Sequence, residues 1–98
     1  MTAAEAVARW LRLVVADTEL SPYLIGGDLG RLAAHLTASL ANALDGEPAA
    51  ADGWHGLGLS EAQHRRVIDY LVGVLWAFDL PDDQVARVQR AFSGEVDA

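Results

Sequence analysis

An all-helical fold of about four helices is predicted by three observations. Apolar residues recur at three- and four-residue spacing along four segments, and no stretch alternates apolar with polar as a half-buried strand would. Capping residues stand where these segments begin, and Gly or Pro where the chain must turn. Hydrophobic residues make up 52% of the 98 positions against 21% charged, which places the chain among globular sequences rather than disordered ones.

The first helix opens at Thr2, with Glu5 three positions on completing a capping box. Its inner stripe is Ala3, Val7, Trp10, Leu11 and Val14, and it ends near Asp17. The segment "TELSPYLIGGD" follows as a compact turn region broken by Pro22 and by Gly26-Gly27. Asp28 caps the second helix, whose stripe is Leu29, Leu32, Ala33, Leu36, Leu40, Ala43 and Leu44, and Gly46 stops it. His35 lies in the neighbouring polar row with Asp28, Arg31 and Asn42.

The connection "GEPAAADGWHGLGL" is long for so small a domain, and such joints tend to carry function or motion. Ser60 and Gln63 form a second capping box at the start of the third helix. Its inner stripe is His64, Val67, Ile68, Leu71, Val74, Leu75 and Phe78, so His64 is expected to point at the core. Val72 and Trp76 fall on a different face, beside Arg65 and Asp69, and suit a small satellite cluster or a subunit contact. Pro81 fits the first turn of the last helix, with Val85, Val88 and Phe92 as its stripe. The whole chain, 1–98, is read as one domain with residues 93–98 as a frayed tail.

Composition narrows the function. There is no Cys, which removes disulfides, thiolate metal sites and Cys nucleophiles. Fourteen acids against seven bases, all of them Arg, give a formal charge of −7. Such a chain offers no basic patch, and no nucleic-acid partner is expected. The N-terminus lacks a basic leader with an apolar core, and no apolar run reaches the roughly 20 residues of a membrane span. A cytoplasmic protein with no membrane partner is the expectation. A chain this short buries only about 60–70% of its unfolded surface, leaving room for a partner chain or an apolar cofactor.

Four pieces in order carry a resemblance: "VVADTELSPYL" (14–24), "RLAAHLTASLANALDGEP" (31–48), "WHGLGLS" (54–60) and "FDLPDD" (78–83). Together they resemble the truncated hemoglobins, particularly group I, over roughly residues 7 to 92. The resemblance implies a truncated globin-like fold in which the four helices are equivalents of that family's B, E, G and H helices, packed two-over-two. It also implies heme b held between the second and third helices, and a diatomic gas as ligand. The departures are many. The family's Gly-Gly-Pro is Asp45-Gly46-Glu47 here, with Pro48 one place late, and the loop before the ligand is shorter. The distal tyrosine position aligns with Leu11, the porphyrin-packing phenylalanine with Leu24 beside Tyr23, and the ligand-holding glutamine with Leu36.

A gapless alignment of "GLGLS" puts Trp54 at the proximal position, and deletion of one residue after the histidine puts His55 there. Indole has no lone pair to give iron, whereas neutral imidazole binds it well, so His55 is the expected proximal ligand. By the same resemblance His35 could swing in as a sixth ligand, touch a propionate from the rim, or have no role. His64 replaces an aromatic at the heme edge and reads as a core residue with one satisfied hydrogen bond. The cofactor-facing set is therefore Leu11, Tyr23, Leu24, Leu32, His35, Leu36, Leu40, Trp54, His55, His64, Val67 and Leu71, with His55 and His35 as iron ligands. With its distal polar groups gone, such a protein would hold oxygen weakly and oxidise easily. Redox chemistry at the heme would have only His35 as distal acid or base. No paired carboxylates and no Ser/His/Asp arrangement point to hydrolysis.

The alternative is a heme-free globin-fold protein acting as an interaction or assembly module. Trp54 would then plug the cavity, and the Val72/Trp76 face would dock a partner or a second copy of the chain.

Overall fold

The computed structural model describes residues 2–47, 54 and 57–93. Among them the regular elements are all helical: α1 (Ala3–Ala16), a 3₁₀ turn (Ser21–Tyr23), α2 (Leu29–Leu44), α3 (Glu61–Ala77) and α4 (Asp82–Ser93). The expected tail falls largely outside the described residues, and so do His55 and most of the long connection.

Both capping boxes form as the sequence predicts. The Thr2 hydroxyl accepts from the Glu5 amide at 3.1 Å while Glu5 accepts from the Thr2 amide at 2.9 Å. Ser60 and Gln63 make the same reciprocal pair at 3.1 and 2.8 Å. Asp28 accepts from the Arg31 amide at 3.0 Å and starts α2. Each such cap satisfies an amide that the helix itself cannot, and is worth about 1 kcal/mol.

Helix ends differ in how well the sequence announces them. Gly46 lies at φ 78, and its amide and that of Glu47 return to Ala43 and Asn42 at 3.2 and 2.8 Å. This is a Schellman ending, for which glycine is the natural residue because the left-handed region costs it nothing. The end of α3 makes the same turn without glycine. Asp79 adopts φ 61, and the amides of Asp79 and Leu80 reach Trp76 and Leu75 at 3.0 and 3.3 Å.

α1 packs on α2 and on α3, and α4 packs on both from the other side. Among the described residues the backbones of α2 and α3 do not approach each other closely; the two helices stand diagonally across a four-helix ring. One hydrophobic core fills that ring, drawing Val7, Trp10 and Val14 from α1, Leu36 and Leu40 from α2, Val67, Leu71 and Leu75 from α3, and Val88 and Phe92 from α4.

Some stripe assignments are corrected by this packing. Leu29 is exposed, because it sits at the very start of α2 before that helix meets α1. Phe78, the C-cap of α3, is only half-buried, and the Arg9 guanidinium lies 5.1 Å from the centre of its ring. His64 is half-buried rather than inside the core. Ala3, Leu11, Leu32, Ala33 and Leu44 are likewise half-buried at the margins.

Candidate functional site

The interior between α2 and α3 is built around three aromatic rings. Trp10, on the core face of α1, is fully buried, and its indole N–H donates to the Val67 carbonyl of α3 at 2.8 Å. Phe92 from α4 meets Trp10 edge-on, with centroids 5.4 Å apart and planes at 88°. Trp54, from the connection before α3, meets the same indole at 5.4 Å and 61°. Edge-to-face packing sets the positive edge of one ring against the negative face of another and adds about 0.5–1.5 kcal/mol beyond area burial. Trp54 is 2% exposed, although it lies on a connecting segment.

Around this cluster lie the aliphatic residues expected to wall a cofactor. Leu36, Leu40, Val67 and Leu71 are each 0% exposed, and Leu24 is buried too. A space wide enough for a porphyrin would leave the side chains lining it open to water, as these are not. In this packing the walls close on one another and on the aromatic rings, and the interior does not fit a macrocycle. Tyr23 stands apart: its hydroxyl accepts from the Gln63 side chain at 3.1 Å, which docks the 3₁₀ turn onto the start of α3. His35 and His64 are half-buried on α2 and α3, whose backbones stand apart across the core. The proposed proximal ligand, His55, lies outside the described residues, immediately after the buried indole. Among the described residues no group of three or more His, Asp or Glu side chains converges as a metal site.

A second polar arrangement escapes sequence reading. The Asp17 carboxylate, at the C-terminus of α1, accepts from the Tyr70 hydroxyl at 2.6 Å and pairs with Arg66 Nε at 2.8 Å. It also accepts from the backbone amides of Glu19 and Leu20 at 2.9 and 3.2 Å. The Tyr70 hydrogen bond, followed by the two amides and the Arg66 charge, holds this carboxyl below its usual range against the opposing cost of desolvation. Arg66 and Tyr70 are one turn apart on α3, so both reach the same carboxylate. The available signal was an acid at a helix C-terminus, where the dipole disfavours negative charge unless something else holds it. With every strong acceptor site of Asp17 occupied, the cluster is a clasp between α1 and α3 rather than a reacting group.

No family model, no curated protein and no solved structure matches this chain.

Proposed function

We propose that this chain is a heme-free, all-helical interaction module, closed by its own aromatic residues where the resemblance to truncated hemoglobins would place a cofactor. The observation that carries this reading is Trp54, buried edge-on against Trp10 at 5.4 Å. The sealed Leu36, Leu40, Val67 and Leu71 support it, since a protein evolved to hold a porphyrin gains nothing from filling the space with indole. Its activity would then lie on its surface.

The competing reading, heme b held by His55 with a gas as ligand, draws on the adjacency of the two residues. A shift of the connection by one position would exchange indole for imidazole. Absorption between about 350 and 650 nm separates the two, a range that covers the bands of any ligated heme. Protein expressed with a heme precursor is expected to purify colourless, and added hemin to keep the spectrum of free hemin. A red preparation with a sharp Soret band, bleached by His55→Ala, would overturn the proposal.

A further inference from the structure

We infer that the outer face of α3 is an antiparallel docking surface for a second copy of this chain, with Trp76 at its energetic centre. This inference rests on the interaction-module reading and names its partner. Trp76 is 49% exposed, whereas Trp10 and Trp54 are 0% and 2% exposed. Val72 lies one turn before it, half-buried, and Gly73 stands between them in mid-helix with nothing within 4 Å of where a Cβ would sit. A helix-interior glycine costs about 1 kcal/mol relative to alanine, and among the described residues no neighbour requires the side chain to be absent.

The charges on this face choose the occupant. Reading along it from the N-terminal end, the residues are the exposed Arg65 and Asp69, the half-buried Val72 and the exposed Trp76, followed by the exposed Asp79 just past the helix. A two-fold axis through Val72 sets two such helices antiparallel. Arg65, seven residues or about 10 Å from the axis along the helix, then lies towards the C-terminal end of the other copy's α3, beyond which the turn carrying Asp79 follows. The indole of Trp76 falls between Asp69 and Arg65 of the other copy. There its N–H can be accepted by the carboxylate while the guanidinium covers its face. Every contact occurs twice, as an isologous interface requires. A parallel arrangement would instead set Arg65 on Arg65 and Asp79 on Asp79. Among the described residues Arg65 pairs with Glu61 at 3.7 Å, both side chains well exposed, a contact that the new one can displace cheaply. The patch is small, so the association belongs to the weak, reversible class.

Sedimentation equilibrium from about 10 μM to 1 mM, bracketing weak association, tests this on the intact chain. The wild type is expected to move from 10.5 kDa toward twice that mass, with acrylamide quenching of tryptophan fluorescence falling as it does. Trp76→Glu and Arg65→Glu should each weaken association about tenfold or more, with unchanged helical circular dichroism. A wild type monomeric throughout overturns the inference, and so does a dimer that tolerates both substitutions. Hemin added to the same samples keeps the two proposals separable: uptake by an intact dimer refutes only the heme-free reading, and a monomer without uptake refutes only the docking face.

Discussion

Tyr70 donates a 2.6 Å hydrogen bond to the carboxylate of Asp17, joining the end of α1 to the middle of α3. Arg66 closes on the same oxygen at 2.8 Å, and the side chain of Asp17 is only 3% exposed. Removing the phenol oxygen alone leaves the carboxylate with its other partners, whereas asparagine keeps one acceptor oxygen for the two amides and sets an NH2 group against the Arg66 and Tyr70 donors. Asp17→Asn is therefore expected to lower the melting temperature more than Tyr70→Phe, and a double variant to fall short of the sum because the pair is coupled. Thermal melts of the four proteins check the order.

The same carboxyl should make stability depend on acid. Its folded pKa lies below its ordinary value of about 3.9, so its contribution is fully present above that value. As pH falls through the lowered folded value, the native carboxylate takes up its proton and the contribution is lost. The melting-temperature gap between wild type and Asp17→Asn is expected to be constant from pH 7 to about pH 5, then to narrow progressively as pH falls below the carboxyl's ordinary value. A gap that widened in acid would contradict the direction of the shift.

If Trp54 is a structural plug, its loss should leave a dry hole that a matching molecule can fill. Trp54→Ala is expected to destabilise the protein by about 3–5 kcal/mol in denaturant titration. Free indole or benzene should recover part of that loss, as apolar cavities take up apolar ligands. Destabilisation of less than about 1 kcal/mol, with no effect of indole, would mean that the ring is dispensable to the core.

Trp10 contributes both a ring and a donor. Trp10→Phe keeps an aromatic against Phe92 but loses the indole N–H to Val67, and its smaller ring leaves a void. A loss of about 2 kcal/mol is expected, roughly half from the hydrogen bond and half from packing. A stability within about 0.5 kcal/mol of wild type would show that neither matters.

The turn after α3 can be improved. Asp79 sits at φ 61 in a Schellman ending, and its charge faces the unfavourable end of the helix dipole. Asp79→Gly is expected to raise stability by about 0.5 kcal/mol, relief of the backbone strain outweighing the extra freedom of the unfolded chain. The measurement belongs at low micromolar concentration, where the proposed α3 pairing would not contribute.

By itself the sequence determined what depends on neighbours along the chain. Four helices, their capping boxes at Thr2 and Ser60, the Asp28 cap and the Gly46 stop follow from hydrogen bonds and dihedral preferences that span three or four residues. Most of the buried stripe follows from 3.6-residue periodicity, which failed at Leu29 and Phe78 because helix ends protrude beyond the packed ring. Tertiary structure alone decided that α2 and α3 stand diagonally, that the indole at 54 turns inward onto Trp10, and that Asp17 is shared by Tyr70 and Arg66, about fifty residues away in sequence. Those contacts depend on how the helices cross, and crossing is settled by the shapes and volumes of side chains meeting from distant parts of the chain, which no local spacing encodes.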